Sequence, residues 1–341
     1  RAMAILPGGK HIYNVTHQIK KAIKETLLPC SMFEDMGFTY LGPVDGHDVR
    51  GLTRLLSDAR DLETPVLLHV RTVKGKNYPP AEKNPDAFHG VSRFCIQTGE
   101  ALQPSKPSFS GAFGAAMCAL AEQESRLCAI TAAMRDGTGL KEFSRCYPDR
   151  YFDVGIAEGH AVAMAAGMAK EGAVPVLAVY SSFLQRGYDM LLHDVGIQGL
   201  HVVFGVDRAG LVGEDGETHH GLFDVAYLAT VPGMTVLAPA SFAELRSMLF
   251  HAVREEKGPV ALRYPRGGES TYHSDHWGEK TVILEAGQGI TLVTYGTLTG
   301  EVLAAAERLR QDGYSPEVIK LIQIPPLDWK PVLASVTRTG R

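Results

Sequence analysis

The residues best suited to chemistry lie just after the apolar segments between positions 127 and 264. They are a carboxylate, two aromatic residues, arginines and a pair of histidines: Glu158, Tyr180, Phe183, Arg208, His219, His220, Arg263 and Arg266. Carboxyl and imidazole groups can move protons near neutral pH, and guanidinium groups can bind anions. If the fold brings these residues together, they could support catalysis or the binding of an anion.

Each of these residues also has a purely structural interpretation. A carboxylate such as Glu158 is favoured in a first helical turn by the helix dipole. Phe183 could belong to the core, Arg208 and Arg266 could form surface ion pairs, and His219 with its neighbour could have no role. The histidines do not indicate a metal site, since no third ligand stands at a helical or strand spacing. No G-x-G-x-x-G follows a strand, so a dinucleotide site is not indicated either.

The elements that would position these residues alternate regularly. Helical and strand patterns succeed one another between 109 and 264, and the segment 174–180 is apolar without alternation, which is typical of a strand buried on both faces. We therefore predict an α/β fold with a doubly wound, mostly parallel sheet. Ligands bind at the carboxyl ends of such strands. Within this sheet a strand over 151–156 leads to a helix over 158–171, and another helix spans 183–196.

The first hundred residues are predicted less regularly. Helical spacing of apolar residues predicts a helix over 14–28, and Asp48 can cap a helix over 49–60. We expect a turn cluster at 42–48 and a buried strand at 65–71.

Composition shifts divide the chain into three predicted domains: 1–100, 106–268 and 284–341, with linkers near 96–108 and 267–283. The last of these begins a new βαβ unit that the chain does not complete, and residue 1 is Arg rather than Met. We therefore expect the chain to be part of a longer protein.

The overall composition excludes several classes of protein. Hydrophobic residues make up 45% and charged residues 21%, and the net charge is −4, which gives no reason to expect nucleic acid or an anionic membrane as partner. No apolar run approaches the ~20 residues of a membrane span. Five cysteines without CxxC spacing indicate neither a disulfide framework nor a zinc site, so a cytoplasmic location is expected.

Several longer motifs occur in order along the chain. They are Gly42-Pro-Val-Asp-Gly-His-Asp48, Phe88-His89, Tyr151-Phe-Asp-Val-Gly-Ile-Ala-Glu158, Tyr180-Ser-Ser-Phe-Leu-Gln-Arg186, Asp207-Arg-Ala-Gly210, Asp215-Gly-Glu-Thr-His219 and Arg263-Tyr-Pro-Arg-Gly267. Together they resemble the 1-deoxy-D-xylulose-5-phosphate synthases, which are transketolase-like enzymes that depend on thiamine diphosphate. The resemblance runs from about residue 31 to the end. The motif around Glu158 is shared by transketolases in general, whereas the segment from Arg208 to His219 is typical of the synthases.

The resemblance implies a set of cofactor-binding residues. Glu158 matches the catalytic glutamate that hydrogen-bonds N1′ of the cofactor's aminopyrimidine, and Phe183 matches the ring that stacks on it. Ile156 matches a cofactor-binding position beside them. Lys74 matches a position near the cofactor's diphosphate, although it could simply be a solvated loop lysine.

The resemblance also implies the substrates, pyruvate and D-glyceraldehyde 3-phosphate. These are joined with loss of carbon dioxide in the first step of the non-mevalonate isoprenoid pathway, which also feeds thiamine and pyridoxal synthesis. Arg208 and Arg266 match phosphate-binding arginines, and Tyr180 and Asp215 match acceptor-binding positions. His219 and His89 match catalytic histidines. No role is implied for His220.

One expected motif is missing from the 341 residues. Members of this family hold Mg²⁺ and the diphosphate with a Gly-Asp-Gly motif, and no Gly-Asp-Gly occurs here. We therefore predict no metal ligand in this chain, place the Mg²⁺ ligands in a further N-terminal domain, and expect the isolated chain to be inactive. The family also implies a homodimer, with the Ala- and Gly-rich helix 158–171 as a candidate interface.

Two alternatives stay open. The chain could belong to a transketolase or to the decarboxylating component of a 2-oxoacid dehydrogenase, which differ in substrate. It could also be a non-catalytic pyrimidine-binding module that needs a partner chain.

Overall fold

The computed structural model describes residues 31–85, 87–102, 106–213 and 215–340. The chain divides into two compact units, 1–104 and 105–341, which are described separately below. The helix predicted over 14–28 lies outside the described residues. No helix among the described residues is long and apolar enough to cross a membrane.

The first unit contains a two-stranded parallel sheet. Strand β1 (Thr39–Asp45) pairs with β2 (Val66–Arg71), and the helix Val49–Arg60 connects them. Asp48 caps this helix as predicted, because its Oδ1 accepts the N–H of Gly51 at 3.0 Å. Two short helices, Ser31–Asp35 and Pro79–Lys83, complete the described elements of this unit.

Two predictions for the first unit were wrong. The turn expected at 42–48 is strand up to Asp45, because Gly42 (φ +124°) lets β1 pass close to β2: a Cβ there would lie 2.4 Å from the His69 carbonyl oxygen. Strand β2 was expected to be buried, but its side chains are half-buried or exposed. A sheet of two strands has few neighbours to cover it.

The second unit contains a six-stranded parallel sheet in the order β4-β3-β5-β6-β8-β7, which confirms the predicted doubly wound α/β fold. Its strands are β3 (Leu127–Thr131), β4 (Tyr151–Asp153), β5 (Val174–Tyr180), β6 (Val203–Asp207), β7 (Thr235–Leu237) and β8 (Val260–Arg263).

Helices cover both faces of this sheet. On one face the helices Phe109–Ala121 and Phe242–Arg254 pack in a core that includes Val176 and Ala178 of β5, whereas Leu177 and Val179 join the core on the other face with the helix Glu158–Lys170. The alternation along β5 explains why its sequence is apolar throughout. The remaining short helices and 3₁₀ turns of this part are Lys141–Cys146, Pro148–Arg150, Glu217–His219 and Asp224–Leu228.

The single helix predicted over 183–196 is broken into short pieces. A helix at Ser181–Leu184 passes into a 3₁₀ turn at Gln185–Gly187, a short helical turn at Tyr188–Met190 and a π-helical turn at Leu191–Gly196. Gly187 lies against the helix Glu158–Lys170, where a Cβ would come within 2.8 Å of Val162. This close approach brings the 3₁₀ turn beside the start of that helix.

The last part of the second unit is a three-stranded sheet. Its strands β9 (Thr281–Glu285), β10 (Ile290–Tyr295) and β11 (Pro316–Leu321) pair in the order β10-β11-β9, with β9 antiparallel to β11. The 3₁₀ turn Gly296–Leu298 and the helices Thr299–Gln311 and Lys330–Thr339 accompany it. Strand β9 extends into the region predicted as a linker, and the helix Lys330–Thr339 was not predicted.

Candidate active site

Glu158 stands at the start of the helix Glu158–Lys170 and is only 3% exposed. A buried carboxylate needs a partner, and Arg186 supplies it: its Nη1 donates to Oε1 of Glu158 at 2.8 Å. The Arg186 side chain is itself 60% exposed. The sequence offers no cation one turn away on the helix, so this partner comes from the neighbouring 3₁₀ turn.

Three rings form a cluster beside this ion pair. Phe183 contacts Tyr180 at 5.5 Å and His219 at 5.0 Å between ring centroids, and Tyr180 lies 6.2 Å from His219. The Arg186 guanidinium stands over the Phe183 ring at 5.2 Å. The last residue of β5, the helix Ser181–Leu184 and the 3₁₀ turn Glu217–His219 therefore place three of the predicted site residues in mutual contact, with the Arg186 cation over the Phe183 ring.

Arg208, Asp215 and Arg266 form a second polar group. Arg266 Nη1 donates to Oδ1 of Asp215 at 2.8 Å, and Arg208 Nε lies 3.6 Å from Oδ2 of the same carboxylate. The Arg208 guanidinium also lies over the Tyr180 ring at 4.0 Å. The two predicted phosphate-binding arginines thus share one carboxylate and adjoin the ring cluster.

Burial shapes the proton affinities around Arg208. It raises the pKa of Asp207 to about 6, although the neighbouring Arg208 acts in the opposite direction. Burial likewise raises the pKa of Tyr180. For Arg208, burial is the largest single influence and favours the neutral form, but Asp207, Tyr180 and Asp215 together outweigh it and raise the pKa of the guanidinium. Arg208 is therefore a permanent cation, and Asp207 is mainly ionised at neutral pH.

Several buried polar atoms at this sheet edge lack a hydrogen-bond partner. Among the described residues six buried side-chain atoms are unsatisfied, and four of them belong to Ser181, Ser182, Arg208 and Asp215. Buried polar atoms are nearly always hydrogen-bonded, so a concentration of exceptions at one edge is typical of a ligand site.

Not every predicted residue joins this group. Ile156 is 83% exposed on the turn before Glu158. His220 accepts the N–H of Val212 through Nδ1 at 3.1 Å and so supports its own loop. Arg263, the third arginine of the edge, pairs with the buried Asp224 at 2.9 Å.

Lys74 and His89 lie in the first unit. Lys74 Nζ donates to Nδ1 of His89 at 3.0 Å, which makes Nδ1 the accepting nitrogen of the ring. Lys74 also lines a cleft of about 420 Å³ together with Tyr78 and Phe88. The two residues that the sequence assigned separately to cofactor binding and catalysis are therefore direct neighbours.

Sequence reasoning missed four residues of the second unit that hold this arrangement: Arg186, Asp207, Ser110 and Gly137. Arg186 and Asp207 stand inside motifs that the sequence singled out, but without a role. Ser110 and Gly137 bond Arg208 from positions 98 and 71 residues away. No local spacing indicates such contacts.

Three models of related protein families match successive parts of the chain. Residues 2–72 match the model described as 1-deoxy-D-xylulose-5-phosphate synthase, 105–268 match the pyrimidine-binding domain of transketolase, and 279–341 match the transketolase C-terminal domain. The 1-deoxy-D-xylulose-5-phosphate synthase of Pelotomaculum thermopropionicum is 47% identical over 340 residues, which is 98% of this chain and 53% of that protein. The chain belongs to the 1-deoxy-D-xylulose-5-phosphate synthase family. The Clostridium acetobutylicum member is 46% identical over 94% of this chain and 52% of its own length, so the chain spans about half of the curated relatives it matches.

Solved structures agree with the fold. A protein described as a split-gene transketolase, inactive β4 tetramer, matches with a TM-score of 0.62 and 26% identity over 69% of this chain and 78% of its own. A transketolase of Pichia stipitis in complex with sedoheptulose 7-phosphate has a TM-score of 0.60 at 15% identity over 69% of this chain and 37% of its own, which supports the fold alone.

Proposed function

We propose that this chain provides the acid and the acceptor-binding residues of a thiamine diphosphate-dependent 1-deoxy-D-xylulose-5-phosphate synthase. The reaction joins pyruvate to D-glyceraldehyde 3-phosphate with release of carbon dioxide and belongs to the start of the non-mevalonate isoprenoid pathway. Family membership supports this proposal. The observation that carries it is a series of contacts at one sheet edge: Arg186 bonds the buried Glu158 and stands over Phe183, and Arg208 lies over Tyr180 of the same ring cluster.

The residues present fit the pyrimidine side of the cofactor. Oε1 of Glu158 accepts from Arg186, and no hydrogen bond to Oε2 occurs within the described part of the chain. A carboxyl oxygen is thus available to share a proton with a ring nitrogen, and Phe183 offers an aromatic ring against Arg186, the partner of this carboxylate. When bound, thiamine diphosphate supplies the electron sink that decarboxylation of pyruvate requires.

The remaining residues of the edge suit the acceptor. Arg208 and Arg266 would bind its phosphate, because guanidinium groups bind phosphate oxygens with paired hydrogen bonds. Tyr180 contacts Arg208, and Asp215 contacts both arginines; these two residues would hold the acceptor's carbonyl and hydroxyl groups. His219, in contact with Phe183 and Tyr180, would move protons to and from the reacting carbons, and we propose the same for His89.

The described residues do not fit the metal side of the cofactor. No group of three potential ligands that could hold a metal ion occurs in residues 31–85, 87–102, 106–213 or 215–340. We propose that Mg²⁺ is held by residues in the half of the relatives that this chain does not match. Lys74 would approach the diphosphate. We further propose a cytoplasmic homodimer; the four cysteines described are free thiols, which is consistent with a reducing compartment.

A chimaera tests the function directly. In it, this chain replaces the 340 matching residues of the Pelotomaculum thermopropionicum synthase, with which it is 47% identical. We expect the chimaera to form 1-deoxy-D-xylulose 5-phosphate from pyruvate and D-glyceraldehyde 3-phosphate. The variant Glu158→Gln keeps the shape of the side chain but cannot share a proton in the same way, so we expect a loss of turnover of at least about 10³-fold.

The same chimaera separates the alternatives. Turnover of ketose phosphates without pyruvate would favour a transketolase, and acceptance of a lipoyl group would favour a dehydrogenase component. An inactive chimaera that still binds thiamine diphosphate would favour the non-catalytic module, for which the split-gene neighbour is a precedent in fold. The chain by itself is expected to show no turnover, because it lacks a Gly-Asp-Gly motif.

A further inference from the structure

Arg208 has an unusual backbone for an arginine. Its φ is +59°, in the left-handed region that residues with a side chain seldom adopt. The neighbouring carboxylate compensates for this conformation, since Oδ1 of Asp207 accepts the N–H of Arg208 at 2.7 Å.

The guanidinium of Arg208 is held by three separate segments. Its Nη1 contacts Oδ1 of Asp207 at 3.1 Å, the carbonyl oxygen of Gly137 at 2.5 Å and Oγ of Ser110 at 3.4 Å. The face of the group rests on the Tyr180 ring. One end of the guanidinium is therefore fixed, whereas Nε on the other edge is buried without a hydrogen-bond partner.

Asp207 holds both the backbone and the guanidinium of Arg208. It is fully buried at the end of β6, and its Oδ2 accepts from Ser110 Oγ at 2.7 Å. It contacts both the backbone and the side chain of Arg208. The pKa of Asp207, raised by burial to about 6, still leaves the carboxylate ionised at neutral pH, so the contact is a buried ion pair.

We propose that Asp207 is a positioning residue for acceptor binding: it fixes Arg208 so that the Nε edge, next to Asp215, meets the phosphorylated acceptor. This inference rests on the proposed function of the arginine pair. Asp207 itself is too deeply enclosed to touch the acceptor, and it acts only through Arg208.

The first test compares two acceptors in the chimaera. Asp207→Asn keeps the size of the side chain and an oxygen for the Arg208 N–H, but removes the charge. We expect kcat/KM for D-glyceraldehyde 3-phosphate to fall at least about tenfold, as for loss of a hydrogen bond to a charged group, while kcat/KM for unphosphorylated D-glyceraldehyde and KM for pyruvate stay unchanged. Combining Asp207→Asn with Arg208→Lys should cost no more than Arg208→Lys alone.

A matched control is Asp224→Asn. Asp224 is also a buried aspartate paired with an arginine, Arg263, but outside the arginine pair. Its replacement should not change the preference for the phosphorylated acceptor. Equal losses for both acceptors in Asp207→Asn, or additive losses in the double variant, would overturn the proposal and leave Asp207 a merely structural residue.

The second test needs no turnover. The 341-residue chain is titrated with glycerol 3-phosphate and with glycerol, and binding is followed by calorimetry. We expect the phosphate ester alone to bind, and Asp207→Asn to weaken it about tenfold or more, whereas Asp224→Asn leaves it unchanged. Absence of binding to the unaltered chain, or equal binding by Asp207→Asn, would overturn the inference. A chimaera that makes no product while these titrations behave as expected would instead refute the proposed function.

Discussion

The addition of a single methyl group at Gly137 should damage the site. Its carbonyl oxygen accepts from Arg208, and a Cβ at this position would lie 1.8 Å from the hydroxyl oxygen of Tyr180. In Gly137→Ala, restoring an ordinary contact of about 3.4 Å requires the Tyr180 ring to withdraw by about 1.6 Å. Because the Tyr180 ring also contacts the Arg208 guanidinium at 4.0 Å and the Phe183 ring, we expect its displacement to disturb both contacts.

We expect Gly137→Ala to impair acceptor kinetics more than it reduces stability. The colliding atom is the end of a side chain, so we expect overpacking to reduce the free energy of unfolding by about 1–3 kcal/mol. Displacement of a binding group by more than 1 Å can cost about 10²-fold in rate. We therefore expect kcat/KM for D-glyceraldehyde 3-phosphate in the chimaera to fall between 10-fold and 100-fold, roughly, with KM for pyruvate much less affected.

Two further variants make this prediction sharp. Gly167→Ala is the matched control, because nothing lies within 4 Å of its Cβ position in the helix Glu158–Lys170; it should stabilise by about 0.5–1 kcal/mol. In Gly137→Ala with Tyr180→Phe, the nearest ring atom is 2.9 Å from the new Cβ, so most of the lost stability should return. If Gly137→Ala behaved like Gly167→Ala in both urea unfolding and kinetics, the geometry inferred for Tyr180 and Arg208 would be wrong.

Three other predictions concern separate parts of the chain. Arg266→Ala should raise KM for D-glyceraldehyde 3-phosphate about 10-fold or more with little change in kcat, because it removes a cation of the pair that shares Asp215. Lys320→Met should lower the free energy of unfolding by about 3–5 kcal/mol, because it leaves the fully buried carboxylate of Glu244 without its cation. Asp48→Ala should destabilise the first unit by about 1 kcal/mol through loss of its helix cap, measured by thermal unfolding.

Each of these three predictions has its own control variant. Arg254→Ala removes a guanidinium from the surface of the helix Phe242–Arg254 and should leave acceptor kinetics unaltered; equal effects of both arginine variants would contradict the assignment of Arg266. Arg145→Ala breaks an exposed pair with Glu142 and should change stability by at most about 0.5 kcal/mol. Asp58→Ala lies inside the helix that Asp48 caps, so a similar loss there would argue against capping.

The sequence was most informative where apolar runs were continuous. Strand β5, expected over 174–180, was predicted to the residue, because its burial on both faces gives a continuous apolar pattern. Strand β9 was missed, since only Val282 of its five side chains is buried and the strand begins in a polar segment. The break after Leu184 was missed because it depends on contact between Gly187 and Val162, which no local pattern indicates.

The site was predicted as a set of residues, but not as a set of contacts. Glu158, Phe183 and Arg208 could be identified because motifs preserve residue type and spacing. Their partners come from distant segments: Ser110 bonds Asp207 across 97 residues, and Arg186 bonds Glu158 across 28. Such partners are fixed by strand order and helix packing, and these emerge only when the whole sheet is assembled.

Arg208 and Glu158 differ in how firmly their partners hold them, and this difference bears on mechanism. Arg208 is bound by groups from three segments, of which Asp207 is fully buried, so its position is set before any acceptor arrives, which reduces the cost of binding. Glu158 is equally buried, but its partner Arg186 is 60% exposed and tethered by a single hydrogen bond and a ring contact. The exposed guanidinium is screened by solvent, so this pair holds Arg186 less firmly than the buried pair of Asp207 and Arg208 is held. A ligand that donates to Glu158 can therefore displace Arg186 at small cost, whereas no ligand could displace Asp207 from Arg208 so readily. The edge is thus rigid where it would bind phosphate and adaptable where it would share a proton.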